Sequence, residues 1–427
     1  MNEKILTVAV IGYGSRGNVY TNYMKELGTM RTVCVCEPNE KKRELAAQRL
    51  SLGEEALFAD ENEFFAERRA DVLLVATPDR AHYRHAVKGL ELGYDLLLEK
   101  PISPDENECR EICMLAEKKK RKVSVCHVLR YAPFYRKIKE IIASGELGEP
   151  VTISQTENVG YWHQAHSFVR GNWRNSKESS CMILQKCCHD LDIIKWLMDV
   201  PCRTVSSFGS LMYFNKAHAP AGSADFCYKC KLEKECPYDA IGFYMDKPDW
   251  LSSTGRFFGN SANAEEVRAC LSDESNPYAR CVFKCDNDVV DHQVVNMLFE
   301  GGKTAQLTMT AFSKDFRRTI KVHLTGGEIM GDIAANRIDY TAWGRETVTI
   351  DVTKLADDLT HHCGGDKLPV RDFYDYICGN PSGKGLTAVG NSLESHLMAF
   401  AAEKSRLSGG EPVQIGKSTV MKKRNFL

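Results

Sequence analysis

Three glycines in the run Gly12-Tyr13-Gly14-Ser15-Arg16-Gly17 follow the apolar stretch Val8-Ala9-Val10-Ile11 and precede a helical pattern from Asn18 to Leu27. Each has its own task at this spacing: Gly12 permits a tight turn, Gly14 lets backbone approach a pyrophosphate, and Gly17 lets helix and strand pack closely. The helix N-terminus behind them presents free amides and a positive dipole end to phosphates, so Ser15 and Arg16 join the expected cofactor set. Glu37 lies twenty residues beyond Gly17, where a second strand should end. A carboxylate there accepts hydrogen bonds from a free ribose 2′-hydroxyl and repels a 2′-phosphate, which favours NAD over NADP.

Oxidising a secondary alcohol requires a base for the hydroxyl proton and an acceptor for the hydride, both in close contact. Lys100 follows the strand pattern Asp95 to Leu98, at the carboxyl edge where parallel sheets bind ligands. Its ammonium can orient a hydroxyl and stabilise developing alkoxide charge. The stretch from Tyr161 to Arg174 is dense in aromatic rings, histidines and arginines. Aromatic faces suit the C–H surfaces of a ligand, while His and Arg donate to hydroxyls or acidic substituents. Tyr161, His166, Arg170 and Trp173 are therefore expected substrate contacts, with Tyr131 and His292 as secondary candidates. On an alternating strand, Asp291 and Gln293 face opposite to His292, so one set alone can line a cleft.

Cys227, Cys230 and Cys236 place three thiols within ten residues, and Cys281 or Cys285 could supply a fourth. Such spacing is that of a structural tetrahedral zinc site, with an iron–sulfur centre or free buried thiols as the alternatives. The remaining cysteines of the 17 are expected to be reduced, among them Cys34, Cys36, Cys187 and Cys188 as small core hydrophobes.

These groups must be held by elements that the pattern supplies. Through residue 130, short β-branched runs (Ile5 to Ile11, Arg31 to Cys36, Val72 to Ala76, Asp95 to Leu98, Lys122 to Val125) alternate with helical stretches at Lys41 to Leu50, Ala81 to Leu92 and Asn107 to Lys119. That alternation predicts a doubly wound α/β domain over residues 1–130. A second α/β domain is expected over 131–410, opening with a helix at Ala132 to Ser144 and closing with helices at Val370 to Cys378 and Asn391 to Leu407. Between these lie alternating strands (Val289 to Phe299, Lys303 to Phe312, Arg318 to Thr325), which predict a mostly antiparallel open sheet. Residues 210–280, rich in Cys, Pro and aromatics and without a clear period, read as an insertion, and 411–427 as a tail.

Composition narrows the function classes. Lys plus Arg number 56 against 57 Asp plus Glu, so the basic excess needed for nucleic acid is missing. No run of 18 apolar residues appears and the first residues carry no apolar leader, so no membrane partner is expected and a cytoplasmic location is.

Thr77-Pro78-Asp79-Arg80-Ala81-His82 after one strand, Glu99-Lys100-Pro101 after the next and His189-Asp190-Leu191-Asp192 further on, together with the glycine loop, resemble the Gfo/Idh/MocA oxidoreductases. The resemblance implies a Rossmann domain that binds NAD(P), often tightly, and a C-terminal domain whose open sheet forms homodimers or homotetramers. It also implies a sugar, polyol or related substrate between the domains. It adds Thr77, Pro78, His82 and Glu99 to the cofactor residues and makes Lys100 and His189 the catalytic pair. The family's aspartate four residues before the histidine is here Gln185, so His189 acts without it, or Lys186, Asp190 or Asp192 takes over. The expected activity is NAD-dependent dehydrogenation of a sugar, polyol or glycoside hydroxyl. The alternatives are a glycoside hydrolase that works by transient ring oxidation, elimination, water addition and re-reduction, and a non-catalytic NAD-responsive regulator.

Overall fold

The computed structural model describes residues 4–233, 235–252, 254 and 264–416. Its first sheet contains β1 (Leu6–Ile11), β2 (Met30–Cys36), β3 (Leu57–Phe58), β4 (Val72–Val75), β5 (Asp95–Leu98) and β6 (Val123–Val125). All neighbours are parallel, in the order β3-β2-β1-β4-β5-β6. A parallel sheet is covered on both faces, which is why Val72–Val75 is apolar at every position and wholly buried. The order reverses between β1 and β4, and ligands bind beyond the carboxyl ends at such a switch point. Gly12, Glu37, Ala76 and Glu99 each directly follow one of these strands and so meet at that edge.

The second sheet has nine strands: β7 (Pro150–Asn158), β8 (Cys202–Ser210), β9 (His292–Phe299), β10 (Thr304–Thr310), β11 (Arg317–Leu324), β12 (Gly327–Asp332), β13 (Arg337–Ala342), β14 (Val348–Asp351) and β15 (Val413–Gln414). Their order is β14-β13-β12-β11-β7-β10-β9-β8-β15, antiparallel throughout except for the β7–β10 pair. Strands alternate buried and exposed residues, as a sheet with one covered face must. Helix Cys188–Met198 covers that face, and Leu191, Ile194 and Leu197 pack with Ile153, Val295 and Ile320.

Two helices of the later chain serve the first sheet as well. Val370, Phe373 and Tyr374 of helix Lys367–Cys378 pack with Tyr20 and Met24 of helix Ser15–Leu27. Val389, Leu393 and Leu397 of helix Val389–Leu407 join the core around Leu73, Leu96 and Val123. An amphipathic period shows that a helix has an apolar stripe without showing which sheet the stripe covers.

The segment between β8 and β9 is not aperiodic. It carries helices Ala240–Asp246, Pro248–Ser252 and Ala264–Leu271 around its own small core of Ile241, Tyr244, Leu251, Val267, Leu271 and Tyr278. The expected structural zinc is not supported, since among the described residues no group of three or more His, Cys, Asp or Glu is arranged to hold a metal. Cys227, Cys230, Cys236 and Cys281 do line one small cavity, but so does Arg170. The Arg170 guanidinium stands 3.5 Å from Cys227 Sγ, and a buried cation there disfavours a second positive charge. The insertion is held together instead by its own apolar cluster.

Candidate active site

Gly12 has φ +88° and a side chain there would lie 2.5 Å from the Ala76 carbonyl oxygen, while one at Gly17 would lie 2.4 Å from the Gly12 carbonyl oxygen. Both glycines are thus dictated by packing within the protein. Gly14 differs, since a Cβ there would meet nothing within 4 Å, which leaves open space over the loop for a ligand. Gly14 also caps helix Ser15–Leu27 without any side-chain hydrogen bond and with no acidic residue in the first turn. Open amides and unopposed dipole charge fit a pyrophosphate. Glu37 is buried at the end of β2, its carboxylate accepting from the Tyr13 amide at 2.9 Å and the Asn39 amide at 3.1 Å. The residues present therefore fit NAD, with a fixed anion where a 2′-phosphate would have to go.

Several members of the expected cofactor set also tie neighbouring segments together. Arg16 donates from Nε to Glu99 at 2.9 Å and grips Asp366 with both terminal nitrogens, at 2.8 and 3.0 Å. His82 places its ring nitrogens 2.6 Å from the Pro101 carbonyl and 2.7 Å from the Thr77 carbonyl, and so ties the Thr77-Pro78 turn to the Lys100-Pro101 turn. Thr77 Oγ1 lies 3.0 Å from His85 Nδ1. Glu99 also accepts from the Lys100 amide at 2.9 Å. Burial works against its ionisation, yet Arg16 and Lys100 hold its carboxyl below the usual range.

Lys100 reaches across to the second domain, where its Nζ donates to the Gln185 carbonyl at 2.9 Å. Gln185 ends helix Met182–Gln185, one turn before His189, so the amine and the imidazole belong to one cleft. His189 lies in a row of four imidazoles: its ring centroid is 5.7 Å from that of His127 and 5.8 Å from that of His362, and His127 is 5.4 Å from His396. Burial holds His189 well below its usual range, and Lys100, His127, His362 and Arg318 add to the depression. A neutral imidazole can accept a proton. Its Nδ1 is buried with no hydrogen-bond partner.

Beside it, the covered face of the sheet carries a buried charge cluster that sequence reading missed. Arg318 Nε is 2.6 Å from Glu157 Oε2 and 2.9 Å from Asp190 Oδ1, and Gln155 donates to Asp190 at 2.6 Å. Lys186 Nζ stands 3.4 Å from Glu157 Oε1 and 4.4 Å above the Phe316 ring. Burial pushes the Glu157 carboxyl above its usual range against the pull of Arg318 and Lys186. Inward parity was the available signal, since Glu157 continues the Ile153, Gln155 face of β7.

The other expected substrate residues are dispersed. Arg170 donates to the carbonyls of Arg280 at 2.7 Å and Tyr238 at 2.6 Å, and so fastens the insertion. His166 Nδ1 lies 2.7 Å from the Tyr244 hydroxyl and its ring stacks on Tyr278, inside the insertion's core. Burial pushes it down to about 3. Tyr131 donates to Asp372 at 2.6 Å and is buried. Tyr161 meets the ring of Tyr238, and Trp173 packs near Phe168. His292 shares the open face of β9 with Asn296 and Leu298, while Gln293 and Val295 face the helices, so His292 points away from the cleft.

Comparison with known proteins agrees with this geometry. The model of an oxidoreductase family, NAD-binding Rossmann fold, matches residues 6–127, and that of its C-terminal alpha/beta domain matches residues 139–326. The protein YteT of Bacillus subtilis (strain 168) is 24% identical over 363 residues, covering 78% of this chain and 80% of its own. The inositol 2-dehydrogenase of Corynebacterium glutamicum (strain ATCC 13032) is 27% identical over 201 residues, 46% of this chain and 55% of its own. Among solved structures, the WlbA dehydrogenase from Bordetella pertussis in complex with NADH and UDP-GlcNAcA superposes with a TM-score of 0.71 at 14% identity, covering 97% of this chain and 99% of that one. Levoglucosan dehydrogenase in complex with NADH and L-sorbose gives a TM-score of 0.71 at 15% identity over the same shares, 97% and 99%. The glycine loop, the Glu-Lys-Pro turn and the two sheets therefore have their explanation in descent: the chain belongs to the Gfo/Idh/MocA family of NAD-binding oxidoreductases.

Proposed function

We propose that this chain is an NAD-dependent dehydrogenase of a secondary hydroxyl on a sugar, polyol or glycoside. The observation that carries the reading is the reach of Lys100 from the edge of the Rossmann sheet to the Gln185 carbonyl, one turn from His189. That contact brings a cation to the edge of a row of neutral imidazoles in the interdomain cleft, the kinds of group that alcohol oxidation requires. Bound NAD supplies the hydride acceptor. The glycine loop and Glu37 hold it, Lys100 steadies the substrate oxygen as negative charge develops, and the imidazoles manage the hydroxyl proton.

The test is NADH formation with a panel of polyols, aldoses and alkyl glycosides. Lys100→Ala should lower kcat about 100-fold or more while leaving NADH affinity within a few-fold. Near-normal turnover in that variant refutes the assignment.

A second reading, redox-neutral glycoside hydrolysis, is favoured by Glu157, whose carboxyl burial pushes above the usual carboxylate range beside Lys186. A buried acid raised in this way can protonate a leaving group. Aryl glycosides separate the two: aglycone release without net NADH supports hydrolysis. Phe208, Leu298 and Met330 stand exposed along the open face of the sheet and support self-association there. Among the described residues no helix is long and apolar enough to cross a membrane.

A further inference from the structure

His189 lacks what a proton acceptor ordinarily has, a carboxylate to orient it and to stabilise its charged form. Position 185 offers an amide, and the groups around His189 are Lys100, Arg318 and two other imidazoles. The missing pair exists elsewhere. Between β14 and helix Lys367–Cys378 the chain dips back to the cleft and places His362 Nδ1 2.9 Å from Asp366 Oδ1. Asp366 is fully buried and is gripped in turn by Arg16 of the glycine loop. The carboxylate claims Nδ1–H, which leaves Nε2 of His362 free, and the side chain is still 35% exposed. Its ring lies 5.8 Å from that of His189.

The backbone bears the mark of a held geometry. His362 has φ +50° and Cys363 φ +55°, consecutive left-handed residues with side chains, followed by Gly364 at φ +81°. Left-handed conformations are costly for a residue with a side chain and cluster at functional sites. The turn that follows is tightly packed: a Cβ on Gly364 would lie 2.6 Å from the Asp358 carbonyl oxygen, and one on Gly365 2.5 Å from the Val128 carbonyl oxygen.

We propose that His362, seated on Asp366, is the base that takes the hydroxyl proton, a role for which His189, with no carboxylate partner, is poorly equipped. The proposal rests on the dehydrogenase reading above. The hydroxyl proton passes to His362 Nε2 as the carbinol C–H leaves with its electron pair for the oxidised nicotinamide dinucleotide. One O–H and one C–H bond break, one C=O bond forms, and Asp366 balances the imidazolium. The charged or titratable groups facing His362 are Asp366 from its own loop, Arg16 from helix Ser15–Leu27, Glu99 from the end of β5 and His189 from helix Cys188–Met198. His189 becomes a positioning residue.

The discriminating variant is His362→Gly, which relieves the left-handed strain and so keeps the fold while leaving a hole the size of the ring. Expected are a fall in kcat of about 100-fold or more, NADH affinity within threefold of wild type, and at least tenfold recovery of kcat on adding imidazole. A side chain with a merely structural role would not be rescued by a free base. Retention of more than a tenth of wild-type kcat, or loss without rescue, overturns the proposal. Independently of turnover, nitrogen-15 histidine spectra of the full chain, assigned by the loss of one ring in the variant, should show His362 protonated at Nδ1 near neutral pH. Protonation at Nε2 alone overturns the dyad. If wild type forms no NADH with any compound of the panel, the dehydrogenase reading fails and this proposal with it. Wild-type turnover that survives His362→Gly refutes the base assignment alone.

Discussion

Arg16→Ala tests the view that this residue is a joist between three segments rather than a ligand for the dinucleotide. Arg16 makes two contacts with Asp366, at 2.8 and 3.0 Å, and one with Glu99 at 2.9 Å. Exposure of the side chains is 26% for Arg16, 8% for Glu99 and 0% for Asp366, so its removal leaves two buried carboxylates without their guanidinium, Asp366 with His362 and Glu99 with the Lys100 amide as remaining partners. Breaking a buried ion pair by deleting one partner costs about 3–5 kcal/mol. With Arg16 a quarter exposed, screening brings the expectation to the lower end, about 3 kcal/mol. For an m-value of about 3 kcal/mol/M, the urea midpoint falls by about 1 M. Arg16→Lys keeps the charge but loses the fork that holds both Asp366 oxygens, so it should recover only part of the loss. The assay is urea unfolding followed by circular dichroism, with Asp366→Ala and the double variant completing a cycle. Strict additivity of the two single variants, or a midpoint shift under 0.2 M for Arg16→Ala (on the order of half a kcal/mol), refutes the reasoning.

Other expectations follow from the same geometry. Gly14→Val should leave the unfolding midpoint nearly unchanged, because the position opens on free space, yet weaken NADH binding at least tenfold; equal losses in both would show that the loop is structural only. Glu37→Ser should raise the NADP/NAD affinity ratio by tenfold or more, and an unmoved ratio in fluorescence titration excludes a 2′-hydroxyl role. Stability should fall as pH drops from about 6.5 to 4. Burial pushes His85 and His127 down to about 4 and His166 and His396 down to about 3, so the unfolded chain binds protons that the folded chain refuses. A flat urea midpoint across that window contradicts the neutral imidazoles.

The Rossmann half was legible because strand ends are fixed by strand order. Once β1, β2, β4 and β5 are read as parallel, Gly12, Glu37 and Lys100 must share one edge. The substrate side was much less legible. His166 and Arg170 lie in a π-helical turn, Gln164–Arg170, whose partners are the carbonyls and rings of an insertion about a hundred residues downstream in sequence. No local pattern announces such partners. His362 and Asp366 were missed because they belong to a short connection without a period, and only the Gly364-Gly365 pair hinted at unusual backbone. Lys186 was found, but its partner Glu157 required reading strand parity for charge as well as for apolarity.

The helices spanning Lys367–Cys378 and Val389–Leu407 close the cores of the sheet that is synthesised first. A nascent chain with only its first 130 residues out of the ribosome would present Tyr20, Met24, Leu73 and Val123 without the covers they have in the finished molecule. Arg16 would likewise wait for Asp366. The amino-terminal half therefore completes its packing only once those two late helices have been made and docked.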